Sequence, residues 1–398
     1  MRQPVRVGLC ADYREEGWPS MDRVADSLLA RLDCDHAGVI AAQAIAPPFT
    51  RRVSRLSRSR AAANADRVWN RLWDYPRHVQ RVGAEYDVFH VVDHSYAQLV
   101  HRLPPSRTVV TCHDLDTFRS ILTPDEEQRS AAFTAMTRHI LAGLRRAALV
   151  TCDTASVREE LVERRVLSPD RVVVVPIGVD PMFSPTADPQ ADREIAQLIP
   201  GARKALVLLH VGSTAPRKRI DTLLRVTAAV RRSMREVHLV RVGGSFTAEQ
   251  TKLVRELGLA DRVSILPPLA DRQLAAMYRH AALALLPSER EGFGLPLVEA
   301  MACGTPVLAS DLPVLREVGE DVPVYCRPGE LDDWVRAALA ILREHETLPE
   351  RSTARRALGI ARARRFTWTA FADRMAGIYL DLARAQSVEV RESAACPA

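Results

Sequence analysis

The stretch from Leu285 to Asp311 constrains this chain more than any other. It runs Leu-Leu-Pro-Ser-Glu-Arg-Glu-Gly-Phe-Gly-Leu-Pro-Leu-Val-Glu-Ala-Met-Ala-Cys-Gly-Thr-Pro-Val-Leu-Ala-Ser-Asp and reads as strand, loop, helix, turn and strand. Ala282 to Leu286 has the length and apolarity of a buried parallel strand. Pro287 and Ser288 end it. The Gly292-Phe293-Gly294 loop then leads into a helix expected from about Leu295 to Ala302. Gly304 and Pro306 stop that helix before a strand over Val307 to Ala309. A strand feeding a glycine-flanked loop and a helix N-terminus is suited to phosphate, because backbone N–H groups and the helix dipole converge on one spot. Glu291 stands at the loop mouth and Glu299 just over one turn into the helix. One acid can then touch the reacting end of a ligand and the other a part further along it; the alternative is a loop charge at Glu291 and a solvated helix residue at Glu299.

At 398 residues the chain is long enough for two domains, each with a full core. Its strand, glycine-loop and helix units predict two doubly wound α/β domains. Val5 to Ala11 reads as the first strand, followed by a polar loop with Gly17 and a helix over Asp22 to Leu32. Gly17 is either a plain turn or a point where backbone approaches a ligand, since it has no Cβ. Asp87 to Val92 and Thr108 to Cys112 read as further strands, ending in Asp93-His94-Ser95-Tyr96 and His113-Asp114. Ligands of open α/β sheets sit at the carboxyl ends of strands, so these residues point toward a site. A second domain begins with a strand over Ala205 to Gly212 and a loop, Gly212-Ser213-Thr214-Ala215-Pro216-Arg217-Lys218-Arg219. Arg217 and Lys218 beside a helix N-terminus suit a diphosphate clamp. The next strand ends in Gly243-Gly244, and Val263 to Leu266 leads to Pro267-Pro268-Leu269. The expected boundaries are residues 1–183 for the first domain, 184–201 for a linker and 202–366 for the second domain. A helix over 367–385 and a flexible tail over 386–398 complete the chain.

No apolar run is long enough to span a bilayer, and the N-terminus has no signal-peptide pattern, so a cytoplasmic protein is the default expectation. Seven cysteines in mainly apolar contexts, with no Cys-x2-Cys pair, read as buried reduced thiols. The basic residues are nearly all arginine; the lysines are Lys204, Lys218 and Lys252. Arg51 to Arg60 is arginine-dense and runs into a helix with Trp69 and Trp73. This is either a solvated basic loop beside a tryptophan-packed helix, or a docking surface for anionic lipid or an acidic acceptor. No nucleic-acid motif accompanies the charges.

Glu-Gly-Phe-Gly-Leu-Pro-Leu-Val-Glu-Ala-Met-Ala-Cys-Gly-Thr-Pro-Val, residues 291–307, resembles the Glu-x7-Glu signature of the family 4 retaining glycosyltransferases of GT-B fold. His113-Asp114, Val-Pro-Ile-Gly-Val-Asp at 175–180 and the loop after Gly212 are similar to further motifs of that family, although Ser213 stands where many members carry arginine. The resemblance implies two Rossmann-like domains facing across a cleft, with the last helix crossing back onto the first. It implies transfer of a hexosyl unit from a nucleotide-diphosphate sugar to an acceptor hydroxyl with retention, without a metal or other cofactor. The acceptor is then a glycan, lipid or small molecule. The resemblance assigns catalysis to His113, Lys218 and Glu291. It assigns donor binding to Gly17, Gly212, Arg217, Lys218, Gly243, Leu269, Gly292, Phe293, Gly294, Leu295 and Glu299. Acceptor contacts fall to His94, Tyr96 and Asp114. Asp114-Leu115-Asp116 looks superficially like the metal site of the other glycosyltransferase fold. The alternatives are a related sugar-phosphate synthase or phosphorylase, or an inactive nucleotide-sugar binder.

Overall fold

The computed structural model describes residues 3–199, 202 and 205–395. The chain divides into two units, Met1–Gly178 with Trp368–Ala398, and Val179–Thr367. In the first unit β1 (Val5–Cys10), β2 (Ile40–Ala44), β3 (Val88–Val91), β4 (Thr108–Cys112), β5 (Leu149–Cys152) and β6 (Val172–Val174) form one sheet, ordered β2-β1-β3-β4-β5-β6. Every pairing in it is parallel. β3 and β4 are buried along their whole lengths, as their apolar runs require. β2 escaped sequence reading because it is an edge strand in which only Ile40 is buried.

The second unit repeats the plan. β7 (Leu206–Val211), β8 (Val237–Val242), β9 (Val263–Leu266), β10 (Leu283–Leu286), β11 (Val307–Ser310) and β12 (Val324–Cys326) lie parallel in the order β12-β11-β10-β7-β8-β9. Leu208, Leu239, Leu283 and Leu285 of its central strands pack with Leu223 and Trp334 of the flanking helices. The strand order reverses between β7 and β10, and between β1 and β3 in the first unit. Loops leaving adjacent strands in opposite directions open a crevice at such a point.

Three expectations need correction. Residues 184–201 are not a bare linker: Pro189–Leu198 is a helix capped by Asp188, and Arg272 holds Asp188 through contacts of 2.6 and 2.7 Å. The final helix does not stop near Arg384 but runs from Trp368 to Ala395; residues 396–398, with Cys396, lie outside the described residues. Cys34 is exposed, whereas Cys10, Cys112, Cys152, Cys303 and Cys326 are buried free thiols.

The last helix belongs to the first unit, packed on the helix Pro19–Asp35. A buried hydrogen-bond chain ties it to the sheet. Tyr379 Oη meets His90 Nδ1 at 2.7 Å, His90 Nε2 meets Thr111 Oγ1 at 2.7 Å, and Thr111 meets Thr151 at 2.7 Å. Burial, aided by His113, pushes His90 down from 6.5 to about 3. His90 is thus held neutral, and its contribution to stability is present above pH 6.5 and lost as the pH falls toward about 3. Tyr379→Phe leaves the His90 ring unsatisfied on one side and should cost about 1–3 kcal/mol. The check is a lowered urea midpoint for the Phe variant.

Candidate nucleotide-sugar site

The loops after β7 and β10 leave adjacent strands at the switch point of the second sheet and are stitched together. Glu289 N–H donates to Arg217 O at 2.7 Å, and Arg217 Nη1 donates to Arg290 O at 3.0 Å. Pro216–Lys218 forms one tight turn, closed by Arg219 at φ 47°. That left-handed conformation costs a non-glycine residue about 1–2 kcal/mol. Arg219 is held there by Asp221 at 2.8 Å and Glu289 at 2.6 Å. The turn directs Lys218 inward, where it is buried.

Lys218 Nζ meets Glu291 Oε1 at 2.6 Å, Ser288 Oγ donates to the same oxygen at 2.7 Å, and Arg217 Nη1 lies 3.6 Å from Oε2. Burial works to raise the Glu291 pKa, but Lys218 and then Arg217 outweigh it, so the carboxyl is held below its usual range. Two cations thus face one buried carboxylate. Gly294, at φ 89°, caps the helix Leu295–Ala302, and a Cβ there would strike Leu315 Cδ2 at 2.6 Å. Pro296 has no N–H, and Leu297 and Val298 donate back to Gly294 O at 2.9 and 3.4 Å. The N–H groups of Leu297 and Val298 are thus used within the first turn of the helix. The Phe293 ring is buried 5.3 Å from Phe366 and packs the loop. Glu299 is buried, and its Oε2 accepts from Tyr278 Oη at 2.9 Å. Leu269 is half-buried in the loop between β9 and the helix Asp271–His280.

Sequence reading missed Arg241 and His210, both inside strands and buried. Arg241 donates to Gly212 O at 2.8 Å and to Gly244 O, clamping the two glycine loops. Those loops touch so closely that a Cβ on Gly243 would lie 2.2 Å from Gly212 O. A charged residue among the apolar positions of His238 to Gly244 was the available signal. Burial, then Lys218 and Arg241, pushes His210 down to about 3, so a neutral ring flanks the lysine.

The first unit's predicted residues gather at the ends of β3 and β4. His113 Nδ1 donates to Asp153 Oδ2 at 2.7 Å and Nε2 donates to Val92 O at 2.9 Å. Two acceptors require two ring protons. Burial opposes that charge, but Asp153 and Asp93 prevail and raise His113 to about 9. His94 Nε2 contacts Thr117 at 3.1 Å, and Asp114 Oδ1 accepts the Asp116 N–H at 2.9 Å. Asp116 pairs with Arg119 at 3.2 Å, so this acidic pair caps a turn. Tyr96 is fully buried beneath Arg71, and its hydroxyl accepts the Tyr13 N–H at 3.2 Å. Gly17, at φ 73°, closes the turn Arg14–Glu16 with open space around it. Asp12, missed by sequence reading, is buried after β1; burial and then Asp93 raise its pKa well above normal.

Residues 25–183 match the family model described as Glycosyltransferase Family 4, and residues 193–356 match Glycosyl transferases group 1. The chain belongs to glycosyltransferase family 4. It is 37% identical over 262 residues to the D-inositol 3-phosphate glycosyltransferase of Stackebrandtia nassauensis, an alignment covering 62% of this chain and 57% of that protein. It is 38% identical over 248 residues to the protein of the same name from Kineococcus radiotolerans, covering 58% and 56%. The chain thus spans just over half the length of these curated relatives. Among solved structures, sucrose-phosphate synthase from Thermosynechococcus elongatus superposes with a TM-score of 0.74 at 23% identity, covering 96% of this chain and 100% of that one. Anabaena HepE in complex with UDP and glucose gives 0.70 at 18% identity, covering 95% and 100%. At these identities the likeness is one of fold, the GT-B fold.

Because His113 is protonated in the fold, it contributes stability that is complete below pH 6.5 and is lost as the pH rises through about 9. Asp153→Asn removes the charge that sustains it. Urea denaturation of the variant should show less of this alkaline loss than wild type; an unchanged pH profile would contradict the assignment.

Proposed function

We propose that the chain transfers a glycosyl unit, a hexose in the simplest case, from a nucleotide-diphosphate sugar to an acceptor hydroxyl with retention at the anomeric carbon. The observation that carries this reading is the buried Lys218–Glu291 pair at the switch point of the second sheet, beside Arg217 and the N-terminus of a helix. As the glycosidic bond breaks, negative charge grows on the leaving diphosphate. Lys218, Arg217 and the N–H groups of residues 292–295 stabilise it, already fixed in place by the fold. Glu291, kept ionised by the two cations, accepts hydrogen bonds from sugar hydroxyls. Glu299, oriented by Tyr278, binds the ribose, and the backbone at Leu269 lies along the base. Gly212 and Gly243 keep the pocket wall free of side chains.

The relatives named for D-inositol 3-phosphate make a phosphorylated cyclitol the first acceptor to try. The complex of HepE with UDP and glucose makes UDP-glucose the first donor. A thermal-shift screen against UDP-, GDP-, ADP- and dTDP-sugars identifies the base, and nucleotide release with candidate acceptors reads transfer. Lys218→Ala and Glu291→Ala should keep the fold, and loss of the lysine charge should slow transfer on the order of 100-fold. Undiminished rates in both variants would remove the site. Nucleotide binding without turnover for any acceptor would leave a sugar-nucleotide binder instead.

A further inference from the structure

One surface of the first unit lies outside all of this chemistry. Residues 51–82 hold nine arginines against two aspartates, more positive charge than the whole chain's +6. Both aspartates are already engaged. Asp66 is buried and accepts the N–H groups of Arg52, Val53 and Ser54 at 3.0, 2.8 and 2.9 Å. Asp74 takes Arg52 in a two-point contact of 2.8 and 3.0 Å. Asn70, also buried, bonds both the N–H and the carbonyl of Thr50 at 2.8 Å. These buried polar groups clamp the arginine loop onto the helix beside it, so the outward face has a set shape.

That face is apolar where a soluble surface has no need to be. Leu56 is 90% exposed, Trp69 50% and Trp73 52%, with Val53 and Val68 exposed alongside. The helix Arg60–Trp69 passes through a widened turn, Asn70–Asp74, into Tyr75–Val82. The two indoles lie 6.0 Å apart on it. Arg52 stands 5.4 Å from the Trp69 ring and Arg77 3.3 Å from that of Trp73. A shallow hollow of about 560 Å³ runs between Asn64, Ala65, Val68, Trp69, Leu72 and Trp73.

We propose that this face docks the first unit onto an anionic phospholipid surface. Tryptophan partitions to the headgroup level, leucine and valine enter just below it, and arginine pairs with phosphate while its stem stays in the apolar layer. The charge sets the choice of occupant. A second copy seated by two-fold symmetry would set the exposed arginines of one copy against those of the other, and a nucleic acid would leave Leu56, Val53 and Val68 unburied. Arg71 turns inward over Tyr96 and is no part of this face; the exposed arginines and apolar side chains named above are not among the candidate site residues, so the proposal stands apart from the transfer reading.

The test is flotation of the purified chain with phosphatidylcholine vesicles, with and without phosphatidylglycerol. The chain should float only with the anionic vesicles, and brominated lipid should quench its tryptophan emission. Arg55→Ala/Arg58→Ala removes two exposed charges and should weaken partitioning roughly 30-fold. Trp69→Phe/Trp73→Phe should abolish the quenching while retaining binding. A wild-type far-UV circular dichroism spectrum and melting temperature verify that each variant is folded. Equal binding to neutral vesicles, no binding to either, or quenching that survives loss of both indoles would overturn the proposal. So would a dimer in light scattering that the arginine variant dissolves.

Discussion

Lys218 and Glu291 form a buried ion pair across two loops of the second unit, and the residues around them hold both side chains in place. Taking two charges out of water costs several kcal/mol per ion unless geometry and further hydrogen bonds compensate. Here Ser288 supplies a hydrogen bond and Arg217 a second positive charge. The strained Arg219 that turns the lysine inward is itself held by two carboxylates. An apolar pair of similar volume would pack there as well or better, so stability alone does not account for the ion pair.

The same corner needs backbone brought very close to backbone. Gly212 and Gly243 meet without side chains, and Arg241 locks the approach by donating to carbonyls of both glycine loops. Arg241 spends its guanidinium on backbone carbonyls. It replaces with hydrogen bonds the packing that side chains would give elsewhere, which holds the two loops together.

Histidines in the two units show how burial alone decides little. His90, His113 and His210 are all buried, yet burial leaves His90 and His210 neutral while His113 is held protonated. The difference is the neighbours. His90 faces hydroxyls of Tyr379 and Thr111, His210 faces the cations Lys218 and Arg241, and His113 faces Asp153 and Asp93. Only the tertiary structure brings those partners together, since His113 follows β4 and Asp153 follows β5.

Much of this was legible in the chain itself. The strands β3, β4, β7, β10 and β11, the helix from Leu295 to Ala302, and the placing of Lys218 and Glu291 on strand-to-helix loops follow from local rules. Apolar runs, glycine and proline punctuation and helix starts act over a few residues, so a sequence states them directly. The edge strand β2 and the helix in 189–198 were not legible, because their patterns are weak and packing decides them. The partners of Glu291, the clamp by Arg241 and the state of each histidine were decided by the fold. Charge and desolvation depend on distance in space, and the residues that set them lie tens of positions apart along the chain.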